Sequence, residues 1–158
     1  MEDITIVKLF KRYIRNTEEK APVVERIAVL CKLTNAVKTA GNFPTHKIYV
    51  TTKALKHLYD RKPAEEFNAI LKYLLPLVKF PDHIYAMKAG KRGDLCFVKK
   101  FRGLLYVCSI EITNDKDPDE QCEGMNYVVT AFRLRKGKES YLNSYRLIWS
   151  WKGGFPSS

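Results

Sequence analysis

The stretch DLCFVKKFRGLLYVCSIEI, residues 94–112, decides the fold class. Its two halves are rich in β-branched and aromatic residues, and a turn-forming pair, Arg102 and Gly103, separates them. This pattern predicts two antiparallel strands joined by a tight turn. A third run of the same character, NYVVTAFRL at 126–134, follows an acidic, turn-rich segment, 113–125, that is expected to be an exposed loop. The second half of the chain therefore predicts an antiparallel meander.

Apolar residues at helical spacing mark the first half of the chain. Residues 4–14 predict an amphipathic helix, and a second helix is expected to begin at Pro22 and to end at or before Gly41. A strand at 46–51, a short helix at 52–62 and a long helix between Pro63 and Pro76 follow. FPDHIY at 80–85 reads as a turn feeding a short strand, KESYLNSYRL as a short closing helix, and LIWSWK as a last strand or a packed tail.

These elements predict an α+β fold in which N-terminal helices precede an antiparallel sheet of about four strands. The 158 residues suit one ordinary domain. We expect residues 1–45 to form a helical extension packed on a unit at 46–153, because about 45 residues make a poor core alone. Residues 154–158 are expected to be a flexible tail.

Charge is the strongest global signal. Twenty-eight Lys and Arg residues against seventeen acids give a formal net charge of +11, which favours a partner that carries phosphates, although some small soluble domains are simply basic. No apolar run is long enough to cross a bilayer and no export signal is evident, so a cytoplasmic location without membrane contact is expected. The four cysteines lack metal-ligand spacing, which predicts buried, reduced thiols and neither a metal nor another cofactor.

The sequence lacks the motifs of several enzyme classes. It contains no Gly-rich phosphate loop, no HExxH and no GxSxG, and its carboxylates are few outside the acidic loop, which argues against a two-metal nuclease. A nuclease that works without metal needs a group to deprotonate the ribose 2′-OH, a group to protonate the leaving oxygen, and cations on the phosphate. His, Lys, Arg and Tyr side chains meet these needs, and the last three are abundant here.

His57 is the first candidate for proton transfer. On the helix TKALKHLYDR, Leu55 and Leu58 lie on the apolar side, whereas Lys53, Lys56, His57 and Asp60 are expected to project from the other side. Imidazole is the side chain that titrates near neutral pH. An exposed histidine is nevertheless more often simply solvated, and the residues alone leave both interpretations open. His46 and His83, which lie in or beside turns, are reserve candidates.

Further polar residues lie on predicted strands and turns. Lys99 and Lys100 point to opposite faces of their strand, so at least one of them meets whatever covers the sheet, as a snorkelling side chain or as an anion ligand. Thr130 lies mid-strand among apolar residues, where β-propensity alone accounts for it. A basic cluster follows beside Tyr141, and a solvated turn is its ordinary explanation. The cluster consists of Arg133, Arg135, Lys136 and Lys138.

Taken in order, these motifs resemble the phage-associated nuclease families of the barnase–EndoU–colicin–RelE superfamily. The resemblance covers about residues 46–151 and rests on TTKALKHLYDRKP, FPDHIY, CFVKKF, LLYVCSIEI, YVVTAF and KESYL. It implies a four-stranded antiparallel sheet as the floor of the active site and cleavage of RNA without metal. It also implies a toxin-like protein or one associated with phages or mobile elements, with RNA as substrate and with an antitoxin or immunity protein as a possible partner.

The resemblance also implies roles for individual residues. His57 matches the histidine of the helix motif, Arg61 its arginine, Lys99 the strand lysine and Thr130 the threonine of the TAF-like strand. Lys138 and Tyr141 match the less well-defined closing segment. The expected catalytic residues are His57 as base with Lys99, Thr130 and Tyr141. The residues expected to bind phosphate or RNA are Lys53, Arg61, Lys62, Lys100, Arg133 and Lys138.

One position departs from the family pattern. The helix motif commonly continues as arginine-histidine-proline, whereas this chain has Arg61, Lys62 and Pro63. A lysine binds phosphate well but is a poor proton donor unless its pKa is strongly depressed, so the general acid is unassigned. The sequence therefore leaves two functions open. The first is an endoribonuclease that leaves a 2′,3′-cyclic phosphate, and the second is a catalytically inactive nucleic-acid-binding or protein-docking module of the same fold.

Overall fold

The computed structural model describes residues 5–87, 94–116 and 123–152, and these ranges contain four α-helices and seven strands. The helices are α1 (Thr5–Leu9), which continues as a π-helical turn at Phe10–Ile14, α2 (Asn35–Ala40), α3 (Thr52–Arg61) and α4 (Ala64–Lys79). The strands are β1 (Ile27–Lys32), β2 (Lys47–Thr51), β3 (His83–Ala86), β4 (Leu95–Phe101), β5 (Leu104–Lys116), β6 (Glu123–Leu134) and β7 (Arg146–Ser150). A 3₁₀ helix at Glu139–Ser144 precedes β7.

The strands form one sheet in the order β1-β2-β6-β5-β4-β3-β7. Every neighbouring pair is antiparallel except β2 and β6, which run parallel. The predicted four-stranded antiparallel sheet behind N-terminal helices is therefore wrong: the sheet is mixed and has seven strands. The meander β4-β5-β6 is its centre, and the turn predicted at Arg102 and Gly103 is confirmed, since both residues have positive φ as two-residue hairpin turns require.

The helix predicted from Pro22 is the main error in secondary structure. Residues 27–32 form β1 instead, and only the short α2 lies between β1 and β2. The run IAVLC satisfies helical spacing, but it is also a short continuous apolar segment with β-branched residues, which fits a buried strand equally well. Antiparallel pairing with β2 decides between the two, and segment 1–45 thereby contributes a strand to the sheet.

Two apolar clusters lie on the two faces of the sheet. The larger one joins α1, α3 and α4 to the sheet through side chains such as Ile6, Leu58, Phe67 and Phe97. The smaller one packs the 3₁₀ helix against the opposite face. α4 is confirmed as a helix, although it runs through Pro76 to Lys79 rather than ending at the proline. No helix in the described ranges combines the length and apolarity needed to cross a bilayer.

The junction between β2 and β6 positions the candidate site. The two strands pair only at Ile48 with Asn126 and at Tyr49 with Tyr127, after which the chain leaves the sheet as α3. The buried side chain of Asn126 donates to the carbonyl oxygens of Thr45 and Lys47, both at 2.9 Å, and so fixes the point of divergence. Beyond it, α3 lies beside the remaining length of β6, and the register between β5 and β6 shifts at Val129.

Candidate functional site

α3 carries His57 on its exposed side. Its first turn is capped by Thr51, whose side chain accepts a hydrogen bond from the backbone N–H of Ala54 at 3.1 Å. Leu55 and Leu58 are buried against the sheet, as the apolar spacing predicts, and His57 is exposed. The sequence prediction that His57 lies outside the core is confirmed.

His57 opens onto a cleft of about 480 Å³ between α3, the chain at residues 20–21 and the β5–β6 ladder. This volume falls within the range of ordinary ligand pockets. Lys53, one helical turn before His57, lies on the same wall, and Glu111 and Tyr127, which pair across β5 and β6, line the sheet side. The shift of register at Val129 also borders the cleft, and such bulges are frequent next to active sites. The cleft thus combines an imidazole, the two carboxylates of Asp60 and Glu111, and lysine ammonium groups.

A buried lysine holds one wall of this cleft. The sequence placed Lys56 on the polar side of α3, but only 6% of Lys56 is exposed. Its ammonium group donates to Thr17 Oγ1 at 2.9 Å, to the Glu18 carbonyl oxygen, and to Asp60 Oδ1 at 2.8 Å. The other oxygen of Asp60 accepts from the backbone N–H of Lys20 at 3.0 Å. The segment 17–20 is therefore tied to α3, and the wall formed by Lys20 and Ala21 depends on this ion pair.

The same contacts set the protonation of Asp60. Desolvation by burial raises the pKa of this carboxyl, but the hydrogen bonds from Lys56 and from the Lys20 backbone, with the charges of Lys56 and His57, outweigh it. The net result is a pKa below the ordinary 3.8. Asp60 is therefore a structural anion at neutral pH.

Lys99 does not share the cleft of His57. It lines a separate cleft with Phe80 and Trp149, where its ammonium group donates to the Phe80 carbonyl oxygen at 2.7 Å and lies 3.3 Å from Asp82 Oδ1. These contacts hold the side chain at the end of α4. The structure therefore does not bring Lys99 together with His57, as a shared phosphate would require.

Thr130 and Tyr141 belong to the sheet face that carries the 3₁₀ helix. Thr130 pairs with Ser109 and, by strand alternation, shares the face of Phe132, whereas the Tyr141 ring packs edge-on against Phe132 and Tyr145. Burial, followed by a hydrogen bond with Tyr145, raises the pKa of Tyr141 above its ordinary value. Tyr141 is accordingly a weaker acid than a free phenol, and neither residue lines the cleft of His57.

The predicted phosphate-binding cations are dispersed. Lys53 lines the cleft, and Arg61 is exposed on α3. Lys62 lies 3.7 Å from Glu66 and over the Phe132 ring. The guanidinium of Arg133 forms a bidentate pair with Glu65 at 2.7 Å and also donates to the Tyr106 hydroxyl. Lys138 is exposed before the 3₁₀ helix, and Lys100 lines a further cleft beside β3 and β7.

Sequence reasoning missed Glu111 and Tyr127. The alternation of β5 places Glu111 on the face opposite to Ile110 and Ile112, but no sequence signal sets the register that brings it opposite Tyr127. Of the reserve histidines, His46 forms a hydrogen bond with Asn35, with 2.7 Å between His46 Nε2 and Asn35 Oδ1. His83 lines the cleft beside Lys100, and its Nδ1 is buried and has no hydrogen-bond partner among the described residues.

The cysteines of the described residues lie in the core of the protein. Cys31, Cys96 and Cys108 are buried free thiols, and burial raises the pKa of Cys31 and of Cys96 to about 12. The predicted burial is confirmed for these three thiols, whereas Cys122, part of the predicted acidic loop and the predicted tail at 154–158 lie outside the described residues. Within residues 5–87, 94–116 and 123–152, no cluster of three His, Cys, Asp or Glu side chains is placed to share a metal ion.

Comparison with known proteins adds no functional assignment. Searches found no matching protein family, no matching curated protein and no matching solved structure. The resemblance to the nuclease families rests on the sequence motifs alone.

Proposed function

We propose that the protein is an endoribonuclease that cleaves RNA without metal, by attack of the ribose 2′-OH on the adjacent phosphorus. The observation that carries the proposal is the cleft in which exposed His57 shares a surface with Glu111 and Lys53. The net charge of +11 and the resemblance of the α3 motif support the same substrate. The product would be a 2′,3′-cyclic phosphate, and a toxin-like or phage-associated role would follow from the resemblance.

The sequence leaves the general acid unassigned, and the presence of Glu111 in the cleft supports a division of the two proton transfers between Glu111 and His57. Glu111, an exposed carboxylate on the sheet side of the cleft, accepts the proton of the 2′-OH. His57, on the helix side of the cleft, protonates the leaving 5′ oxygen, which changes its expected role from base to acid. The ammonium group of Lys53 stabilises the charge that develops on the phosphorane. The roles first expected for Lys99, Thr130 and Tyr141 are not needed.

The test is cleavage of a defined RNA oligonucleotide by purified protein in the presence of EDTA, with products identified by mass spectrometry. We expect 2′,3′-cyclic phosphate ends, and rates reduced about 10²–10⁴-fold by His57→Ala and by Glu111→Gln, because each change removes one proton-transfer group. His46→Ala is the matched control, since His46 lies outside the cleft and should retain full activity.

Three results would contradict this proposal. Equal rates for His57→Ala and the unmodified protein would place any activity elsewhere. Loss of activity in EDTA would indicate metal chemistry. Cleavage of a fully 2′-O-methylated strand would exclude attack by the 2′-OH.

A nucleic-acid-binding module without catalysis is the second candidate. Lys62, which stands where the family motif commonly has a histidine, is engaged by Glu66 and by the Phe132 ring and so has a structural role. This candidate predicts salt-sensitive binding of RNA without products. RNA that stays intact during hours of incubation with the protein, together with binding that weakens steeply between 50 and 200 mM salt, would favour this second candidate.

A further inference from the structure

We propose that the protein binds single-stranded nucleic acid at a second surface, formed by the end of α4 and the β3–β7 edge of the sheet. This surface, called the aromatic edge below, consists of Phe80, Trp149 and Trp151 with Lys79, Lys100 and Lys152. It is separate from the cleft of His57, and the inference does not depend on catalysis there.

Exposed aromatic rings are the first observation. Trp151 is 58% exposed and Phe80 is 55% exposed, although large aromatic side chains normally bury most of their surface. Both rings line one cleft of about 330 Å³ together with Trp149. The backbone N–H of Trp151 donates to the Asp82 carbonyl oxygen at 3.1 Å and joins the end of β7 to residues 80–82, and Lys99 on β4 donates to the Phe80 carbonyl oxygen. The rings are thus presented on an ordered framework.

Lysines accompany the rings. The ammonium group of Lys79 lies 5.7 Å from the Phe80 ring centroid, and that of Lys152 lies 5.9 Å from the Trp151 ring. Trp151 also borders the neighbouring cleft, which Lys100 and Lys152 line. Asp82, which lies between the two clefts, is already paired with Lys99. Within the described ranges, no acidic side chain forms an ion pair with Lys79, Lys100 or Lys152.

This combination fits a single strand better than other partners. Protein interfaces are depleted in lysine, so a lysine-rich rim around aromatic rings does not resemble one. A duplex keeps its base faces stacked inside, where the rings of a surface cannot reach them. An unpaired strand offers both phosphates for the ammonium groups and free base faces for the rings, which is the arrangement that single-strand-binding proteins use.

The chain offers a built-in reporter for this surface. Both of its tryptophans, Trp149 and Trp151, lie in the aromatic edge, so stacking of bases there should quench the intrinsic fluorescence of the protein. The probe is a 12-nucleotide 2′-O-methyl uridine strand, which cannot be cleaved by 2′-OH attack. An abasic strand of equal length and a duplex are compared with it, and affinities are measured by anisotropy of a labelled probe.

We expect the single strand to bind and to quench tryptophan fluorescence. Phe80→Ala and Trp151→Ala should each weaken binding about ten-fold or more, Trp151→Phe should restore part of the loss, and the abasic strand should bind at least ten-fold more weakly without quenching. Lys79→Ala and Lys152→Ala should each lower the salt slope by about 0.7. Leu104→Ala, at another exposed apolar side chain, is the matched control and should bind normally.

The inference would be overturned if the abasic strand bound as tightly as the uridine strand. It would also be overturned if Phe80→Ala and Trp151→Ala both bound the uridine strand with unchanged affinity, because attraction between lysines and phosphates would then account for all of the binding. Preference for the duplex would overturn it as well. Tryptophan quenching reports on the aromatic edge, where both tryptophans lie, whereas RNA cleavage reports on the cleft of His57. Failure of RNA cleavage and failure of the aromatic edge are therefore separate outcomes.

Discussion

Replacing Lys56 with methionine tests whether the buried ammonium group joins the N-terminal segment to α3. The change removes three hydrogen bonds from a charged donor, each of which contributes roughly 1.5–3 kcal/mol in other proteins. Removing one partner of a buried ion pair commonly costs about 3–5 kcal/mol. Methionine has a similar length and preserves helix propensity, so the change isolates the polar contacts from packing.

We expect Lys56→Met to lower the free energy of unfolding by less than about 3–5 kcal/mol, because of the contacts that its partners keep. Each former partner keeps another hydrogen bond: Thr17 still donates to the Ile14 carbonyl oxygen, the Glu18 carbonyl oxygen still accepts from Ala21 N–H, and Asp60 still accepts from Lys20 N–H. The Asp60 side chain is also 14% exposed, so water reaches it. We therefore expect Lys56→Met to lower the free energy of unfolding by about 2–3 kcal/mol, or the Tm by roughly 4–12 °C.

Urea unfolding followed by circular dichroism measures this loss, with Lys53→Met as the matched control. Lys53 lies on the same helix and undergoes the same chemical change, but it is exposed, so its effect should stay within about 0.5 kcal/mol. If Lys56→Met costs no more than Lys53→Met, the ammonium group does not stabilise the fold, and the account of the cleft wall is wrong.

Two further predictions concern titrating groups. Because the folded-state pKa of Asp60 is lowered, its carboxylate stabilises the protein fully above the ordinary value of 3.8, and this contribution is lost as the pH falls through the lower folded value. The stability difference between Asp60→Asn and the unmodified protein, measured by urea unfolding, should therefore be larger at pH 6 than at pH 3; an unchanged difference would refute the lowered pKa. Because burial raises the pKa of Cys31 and Cys96 to about 12 and that of Cys108 well above its ordinary value, these thiols should not react with Ellman's reagent at pH 8 until denaturant is added. Mass-spectrometric mapping checks this, and rapid labelling of any of the three in the native protein would contradict their burial.

Local signals predicted most of the individual elements. The strands at 47–51, 95–101 and 104–116, the helices at 52–61 and 64–79, and the Arg102–Gly103 turn are all present because neighbouring residues specify them. The predicted loop at 113–125 is wrong at both ends, since β5 continues to Lys116 and β6 begins at Glu123. β1 escaped prediction because its apolar spacing satisfies two periods, and only pairing with β2 decides between them. The number of strands in the sheet was predicted wrongly for a related reason, because neighbouring strands such as β2 and β6 are far apart in sequence.

The site was predictable only as far as helical periodicity extends. His57 is exposed where its helix places it, and Lys53, one turn away, shares its cleft. Lys99 was assigned to the same phosphate from a motif, but sequence does not reveal that Phe80 and Asp82 engage its ammonium group. Glu111 was missed for the converse reason, because only the strand register places it in the cleft.

Two lysines of α3 are expected to differ in their effects on the free energy of unfolding and on RNA cleavage. Lys56 lies beneath the cleft and fixes its wall through Asp60, whereas Lys53 is exposed at its surface. Loss of Lys56 should therefore reduce both unfolding free energy and RNA cleavage, because two of the contacts that tie residues 17–20 to α3 are lost and only the hydrogen bond from Lys20 N–H to Asp60 is left. Loss of Lys53 should reduce cleavage alone, because it removes only a charge that meets the phosphate. If both variants lost cleavage in proportion to stability, the cleft would be a structural feature, and the nuclease proposal would lose its main support.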